Sequence, residues 1–219
     1  MPSQKKIFIV DDHPVLRRGL SALIDSESDL VVEGEADNNE AALEGLGETQ
    51  PDLVIVDLVL EGGDGLDLVK QIKALHPAIP TLVLSMHDEA MYAVRSLRAG
   101  AKGYVNKQQL DDTVLIAIRK VLAGDTYMSA HVTGQLAARY IGGRTLDADG
   151  PVDTLTDRQL QVFRLIGQGQ TTRQIAGTLS LSIKTVESHR EHIKDKLTIE
   201  SSAELAQRAT QWVETGQNR

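Results

Sequence analysis

Five polar residues in the first half of the chain stand at the ends of short apolar segments. Asp11 and Asp12 end the first segment and Asp57 ends the third. Ser85 ends the fourth, and Lys107 ends the fifth. In an open parallel sheet, ligands bind at the carboxyl ends of the strands, so these residues would meet at one edge. The pattern predicts a single site containing three carboxylates, a hydroxyl and an ammonium group.

Three carboxylates at one place repel each other, and a hard divalent cation such as Mg²⁺ relieves that repulsion. Asp57 is then a candidate nucleophile that takes a phosphoryl group as an acyl phosphate. Ser85 and Lys107 are candidates to bind the phosphoryl oxygens. Aspartates after strands also cap helices or start turns, which is the alternative interpretation of a lone Asp57. Five matching positions favour the phosphoryl site.

The elements that would position this site alternate between two patterns. The apolar segments, expected to be strands, are KIFIV ending at Val10, LVVEGEA from Leu30, DLVIVD ending at Asp57, TLVLS ending at Ser85 and GYVNK ending at Lys107. Segments with helical spacing lie between them. Strands without polar alternation suit a parallel sheet covered on both faces. The fold class predicted is α/β, a doubly wound five-stranded parallel sheet, followed by a small all-α domain.

The pattern breaks after residue 128. Residues 129–150 contain HVTGQLAARY, a candidate short helix, and then a stretch rich in Gly and Asp, which is typical of a linker. No strand pattern returns in residues 151–219. Capping-box spacings predict helix starts at Thr156, Thr171 and Ser201, and Ser182 is a further candidate N-cap. The predicted domains are therefore 1–128, a linker 129–150, and 151–219.

The helix expected from Ser182 to about Leu197 has two unlike faces. The apolar face carries Val186, His189, Ile193 and Leu197, and the polar face carries Lys184, Thr185, Glu187, Ser188, Arg190, Glu191 and Lys194. Glu accepts from cytosine N4 in the major groove, while Lys, Arg and Thr suit phosphates. After a tight turn near residues 180–182, this pattern predicts a helix-turn-helix. A solvated face on a small bundle would look the same, so that alternative stays open.

Composition limits the function classes. The net charge of −8 argues against nucleic-acid binding, but residues 1–150 carry −9 and residues 151–219 carry +1. A DNA-binding function must therefore rest on the motif. The absence of cysteine excludes disulfides and thiolate metal sites. No apolar stretch approaches membrane-spanning length, so we expect a cytoplasmic protein that does not contact membranes.

The segments VDDHPVLRRGL, PDLVIVDLVLEGGDGLDLVKQI, LVLSMHDE and AGAKGYVNK closely resemble the receiver domain of two-component response regulators. The resemblance implies that Asp57 accepts a phosphoryl group from a sensor histidine kinase. It also implies Mg²⁺ as the cofactor, held by Asp11, Asp12, Asp57 and the backbone carbonyl of Val59. Ser85 and Tyr104 resemble the switch pair, in which hydroxyl movement lets the aromatic ring turn inward.

The segments GQGQTTRQIA, LSLSIKTVESH and IKDKL resemble the LuxR-type DNA-binding domain, so the chain resembles the NarL/FixJ class of response regulators. The resemblance implies promoter DNA as a partner and assigns the polar face described above to DNA contact. It also implies a homodimer in the active form, with Leu205, Ala209 and Trp212 in the last helix as candidate dimer residues. RNA polymerase is a further candidate partner. No enzymatic turnover is expected.

Two alternatives stay open from the residues. A phosphorylation-independent regulator would use the first domain only to dimerise. An aspartate-based phosphohydrolase would also combine a parallel sheet, an aspartyl nucleophile and Mg²⁺. Such hydrolases place the nucleophile in an Asp-x-Asp motif after strand 1, whereas here strand 1 ends in adjacent Asp11 and Asp12 and the acceptor follows strand 3.

Overall fold

The protein forms two compact units in a computed structural model, residues 1–143 and residues 144–219. The structure describes residues 4–60, 63–86, 89–109, 112–141 and 151–217. Within these residues, no helix combines the length and the apolar character needed to cross a membrane.

The first unit alternates strands and helices. Its strands are β1 (Lys5–Val10), β2 (Leu30–Ala36), β3 (Leu53–Val56), β4 (Val59–Leu60), β5 (Gly63–Asp64), β6 (Thr81–Ser85) and β7 (Gly103–Asn106). Its helices are α1 (Pro14–Asp25), α2 (Asn39–Thr49), α3 (Gly65–Leu75), α4 (Glu89–Ala99), α5 (Asp112–Leu122) and α6 (Ala130–Ile141). The five predicted strands and the predicted fold class are confirmed.

Five strands form one parallel sheet in the order β2-β1-β3-β6-β7. Val10 of β1 pairs with Ala36 of β2 and with Val56 of β3, so these strands end level with one another. The strand order reverses direction between β1 and β3, which is where a doubly wound sheet opens a crevice for ligands. A two-residue antiparallel ribbon, β4 with β5, follows β3 and was not predicted from the sequence.

Both faces of the sheet are covered, because successive strand residues point to opposite sides. Ile7 and Ile9 face a core formed with α1 and α5, which supply buried residues such as Ile24 and Ile118. Phe8 and Val10, the alternate residues of β1, are buried as well. This two-sided burial explains why the central strand β3 is apolar throughout.

The segment after α5 adds to the edge of the sheet. The backbone N–H of Tyr104 donates to the carbonyl of Tyr127 at 3.0 Å, and Tyr127 N–H donates to Lys102 O at 2.9 Å. The Ser129 N–H then donates to the Glu89 carboxylate at 3.1 Å, at the start of α4. The helix expected within residues 129–150 is α6. The boundaries 1–128, 129–150 and 151–219 stay a prediction.

All regular secondary structure in the described part of the second unit is helical. It contains α7 (Asp157–Gly167), α8 (Thr172–Thr178), α9 (Ile183–Leu197) and α10 (Ser202–Gln217). Thr156 and Thr171 form complete capping boxes with Gln159 and Gln174, as the spacing predicts. The Ser182 side chain accepts from Thr185 N–H at 3.0 Å and caps α9. At α10, Ser201 Oγ accepts from Glu204 N–H at 3.1 Å.

Helices α7 and α10 pack closely. A Cβ added to Gly167 would lie 2.4 Å from Ala209 O, so glycine permits this approach of the two backbones. The Phe163 and Trp212 rings meet with centroids 5.6 Å apart and an interplanar angle of 57°, a tilted aromatic pair. The α7–α10 contact therefore belongs to the core of the second unit.

Candidate functional site

Three charged side chains from separate strand ends meet in the interior of the first unit. Lys107 Nζ lies 2.7 Å from Asp11 Oδ2 and 2.6 Å from Asp57 Oδ2. All three residues are at most 5% exposed. Two carboxylates thus share one buried ammonium, which leaves an excess of one negative charge.

The backbone fixes the two carboxylates through the sheet. Asp57 N–H donates to Val10 O at 2.9 Å, and Asp11 N–H donates to Ala36 O at 3.1 Å, so each aspartate extends the pairing of its strand. Gly65 allows α3 to start against the same backbone, since a Cβ there would lie 1.9 Å from Asp57 O. Gly65 was not predicted from the sequence to belong to the site. Its signal was the Asp64–Gly65 dipeptide, a common turn pair.

Burial raises the pKa of Asp57 from 3.8 to about 6. The Lys107 ammonium and a hydrogen bond from the Val59 backbone oppose this shift, and the nearby Asp11 charge adds to it. Desolvation thus outweighs the single shared cation. A second cation in the site would favour the ionised form of Asp57, the form that acts as a nucleophile.

The acidic site fits a divalent cation. Ligand atoms of Asp11, Asp12, His13 and Asp57 all lie within 4.8 Å of one another. Asp12 Oδ1 is buried, and no described residue gives it a well-aligned hydrogen bond. His13 Nδ1 lies only 2.6 Å from this oxygen, but the contact lacks hydrogen-bond alignment. A buried carboxylate oxygen without a donor is an available metal ligand.

The predicted switch residues lie on adjacent strands beside the acidic site. Ser85 ends β6 and is fully buried, opposite Asn106 of β7. Tyr104 pairs with Val83 in the same ladder, and its side chain is fully buried. The Tyr104 ring therefore lies in the interior of the first unit. The roles of Ser85, Tyr104 and the Val59 carbonyl stay predictions.

The second unit presents α9 after a tight turn. Ser180 adopts the left-handed conformation with φ 51°, which reverses the chain between α8 and α9. The Arg158 guanidinium donates to Leu179 O at 2.7 Å and ties this turn to α7. Val186 and Ile193, on the inner face of α9, are buried. These contacts fix the helix and leave its polar face outward.

Four of the predicted DNA-facing residues, Lys184, Glu187, Ser188 and Glu191, are exposed, and the other three, Thr185, Arg190 and Lys194, are partly exposed. Lys194 Nζ pairs with the Glu191 carboxylate at 2.7 Å. His189, expected on the apolar face, is half-buried. Desolvation lowers its pKa, and the Arg158 charge and His192 add to the effect. The DNA contacts stay predictions.

The candidate dimer residues lie mainly inside the second unit. Leu205 and Ala209 are fully buried. Trp212 is partly exposed at the edge of its ring contact with Phe163. Any dimer contact by α10 would therefore use Trp212 and the outer residues of the helix before the two buried ones. The dimer role stays a prediction.

Two protein-family models match the chain. Residues 7–119 match the response regulator receiver domain, and residues 153–209 match the bacterial regulatory proteins of the luxR family. The first match covers the acidic site, and the second covers α7, α8, α9 and part of α10.

Individual proteins give the same result. The chain is 36% identical over 208 residues to the oxygen regulatory protein NreC of Staphylococcus carnosus (strain TM300), covering 93% of this chain and 96% of that protein. The NreC protein of Staphylococcus haemolyticus (strain JCSC1435) is 35% identical with the same coverage.

Solved structures agree with these relatives. RcsB from Salmonella enterica serovar Typhimurium, bound to the promoter rprA in the presence of phosphomimetic BeF3⁻, matches with a TM-score of 0.61 at 25% identity, covering 95% of this chain and 99% of that one. A LuxR-family two-component response regulator from Aurantimonas sp. SI85-9A1 matches with a TM-score of 0.60 at 33% identity, covering 64% of this chain and 99% of that one.

Proposed function

Because the chain belongs to the LuxR family of response regulators, with a receiver domain followed by a DNA-binding domain, we propose that phosphorylation of Asp57 controls its binding to promoter DNA. The observation that carries the proposal is the buried Asp57 carboxylate beside Asp11 and Lys107. A phosphoryl donor, a sensor histidine kinase, would supply the group. The family regulates transcription. In this chain, phosphorylation of Asp57 would be the step that controls this activity.

The transfer requires a nucleophile and a charge partner for the product. A carboxylate oxygen of Asp57 forms a bond to phosphorus while the bond from phosphorus to the histidine nitrogen of the kinase breaks. The product is an acyl phosphate on Asp57 and a free imidazole on the kinase. Lys107 Nζ, 2.6 Å from Asp57 in the free state, is positioned to exchange this carboxylate oxygen for a phosphoryl oxygen.

Asp11, Asp12, Asp57 and the carbonyl of Val59 would hold Mg²⁺. Bound there, Mg²⁺ neutralises the added negative charge of the phosphoryl group. Asp12 contributes the buried oxygen that lacks a well-aligned hydrogen bond. Asp11 contributes the carboxylate that Lys107 already shares with Asp57. The protein thus supplies both oxygen ligands and an ammonium next to Asp57.

The acyl phosphate would act on the rest of the chain by shifting a population. Ser85 would donate to a phosphoryl oxygen, and Tyr104 on the adjacent strand would respond to this movement. The Tyr104 backbone is bonded to Tyr127, so the segment leading to α6 shares this strand edge. The active form would dimerise and place two copies of α9 on a two-fold related promoter site.

Intact-mass measurement tests the chemistry directly. Purified protein incubated with acetyl phosphate and Mg²⁺ should gain one phosphoryl group, and omission of Mg²⁺ or the change Asp57→Ala should abolish the gain. Asp67→Ala is the matched control, since Asp67 is exposed on α3. An adduct that persists in Asp57→Ala would contradict the assignment of Asp57.

A second measurement tests the link to DNA. Duplexes selected by the protein from a random-sequence pool should bind phosphorylated protein more tightly than Asp57→Ala. Equal binding would favour the phosphorylation-independent regulator. Turnover of a general phosphate ester would instead favour the aspartate-based phosphohydrolase.

A further inference from the structure

We propose that His13 is a further protein ligand at the acidic site and that it shifts the cation preference of the site from Mg²⁺ toward later first-row divalent cations such as Co²⁺. The inference rests on the proposed function, because it assumes that the aspartates of this site hold a divalent cation. It adds one nitrogen donor to a set otherwise made of oxygens.

The backbone positions His13 independently of its side chain. Pro14 follows it at the first position of α1, and a residue before proline is restricted to extended conformations. His13 accordingly has φ −90° and ψ 101°. Its backbone N–H donates to Asp11 Oδ1 at 2.8 Å, which fixes the His13 backbone next to the Asp11 carboxylate. The imidazole therefore starts from a fixed point beside the carboxylates.

The side chain of His13 does not cap α1, although its position is the N-cap of this helix. Asn, Asp, Ser and Thr are the residues that favour this position. The imidazole Nδ1 lies instead 2.6 Å from Asp12 Oδ1 and 3.5 Å from Asp11 Oδ1. The ring is thus placed at the acidic site and not over the helix end.

The contact with Asp12 has the character of a shared ligand position. Asp12 Oδ1 is buried and has no well-aligned hydrogen bond within the described part of the chain, although Nδ1 is close. A carboxylate oxygen and an imidazole nitrogen this close can both be ligands of one cation that lies beside the pair. The imidazole is 67% exposed and adjusts to a cation without disturbing the core.

The ligand types set the expected preference. Carboxylates, carbonyls and water suit Mg²⁺, whereas imidazole suits later first-row metals. With Asp11, Asp12 and Asp57 alone, the site would favour hard cations. A nitrogen ligand adds little for Mg²⁺ and strengthens binding of Co²⁺. His13 would therefore determine which cations compete with Mg²⁺ for the site.

Calorimetric titration of the full-length protein, free of added histidines, tests this preference. His13→Asn should lower Co²⁺ affinity by about tenfold or more and change Mg²⁺ affinity by less than about threefold. In the proton NMR spectrum of the Co²⁺ form, a hyperfine-shifted exchangeable imidazole signal should be present in the wild type and lost in His13→Asn.

The choice of variant separates binding from folding. Asparagine is a favoured N-cap, so His13→Asn does not weaken α1. His192→Asn, an exposed histidine of α9, should leave both affinities unchanged. Asp57→Ala should lower both affinities, which distinguishes loss of a common ligand from loss of a selective one.

Two outcomes would overturn the inference in different ways. Equal Co²⁺ affinity in the wild type and His13→Asn, with Mg²⁺ binding intact, would remove His13 from the ligand set and leave the proposed function standing. Absence of binding by both cations in the wild type would contradict the cation site itself and with it the metal requirement of the proposed function.

Discussion

The acidic site of the first unit and the polar face of α9 use charge in opposite ways. At the acidic site, three residues from different strand ends are almost completely buried, and their partners are fixed by the fold. On α9, the candidate residues come from one helix and stand at the surface. Charges in a dry interior interact strongly, whereas exposed charges are screened. Substitutions at the first site should therefore affect stability, and those at the second should affect mainly DNA binding.

Replacement of the buried lysine should have the largest effect. Lys107→Met leaves Asp11 and Asp57 buried without their shared cation, which should lower the free energy of unfolding of the first unit by roughly 3–5 kcal/mol. Hydrogen exchange of peptides from β1 and β3, followed against urea, measures this loss. Mg²⁺ should restore part of it, since a bound cation replaces the missing charge.

The second unit supplies the matched control. Lys196→Met removes an exposed ammonium that donates to Thr154 O and Gln159 Oε1, and it should cost at most about 1 kcal/mol. Trp212 is the only tryptophan of the chain, so its fluorescence during a urea titration reports the unfolding of the second unit alone. If Lys107→Met proved no more costly than Lys196→Met, the contrast between buried and exposed charge would be wrong.

Removal of the charge on Asp57 should have a smaller effect of opposite sign. Because its pKa is raised to about 6, the folded protein binds a proton there more tightly than the unfolded chain does. The contribution of Asp57 to stability is therefore most favourable below about pH 4 and is lost as pH rises through about 6. The ionised residue then costs at most about 3 kcal/mol. Asp57→Asn removes this cost.

Urea titrations across this pH range, in buffer with a chelator, measure the difference. Asp57→Asn should be more stable than the wild type above about pH 6, and the difference should approach zero near pH 4. Asp67→Asn, on the exposed face of α3, should show no such trend. A constant difference across the range would indicate that Asp57 is not desolvated as the structure implies.

Part of the fold and of the acidic site could be predicted from patterns within short segments of the sequence. Strand ends in a parallel sheet meet at one edge, so the apolar segments predict that Asp11, Asp57 and Lys107 lie together. Capping boxes depend on residues three positions apart, and those at Thr156 and Thr171 were predicted from this local spacing. Both predictions use regularities that short segments carry in themselves.

Contacts that neither the strand-end rule nor a local spacing specifies were not predictable in this way. The close approach of Gly65 to Asp57 depends on where α3 begins against β3. The bridge from Tyr127 to the edge strand has no periodic signal, because it involves a single residue. The burial of Leu205 and Ala209 reflects the packing of α10 on α7, whereas the resemblance suggested only a partner-facing helix.

The smallest predicted effect concerns the surface of α9. Lys184→Ala removes an exposed ammonium near the start of this helix, where we expect a phosphate contact. DNA affinity should weaken by a similar factor for all sequences. The slope of log affinity against log salt should become shallower by about 1, since one fewer counterion is released. Binding to selected duplexes at several salt concentrations measures both quantities.

Lys196 again provides the control on the same helix, because its ammonium is held by Thr154 and Gln159 of its own unit. Lys196→Ala should leave the salt slope unchanged. If both variants altered the slope equally, net charge and not position on α9 would govern DNA attraction. If Lys184→Ala instead changed which sequences are selected, Lys184 would contact a base edge, since a phosphate contact carries no sequence information. An exposed charge acquires its role only from the partner it meets, which is why DNA-binding measurements are needed to assign Lys184.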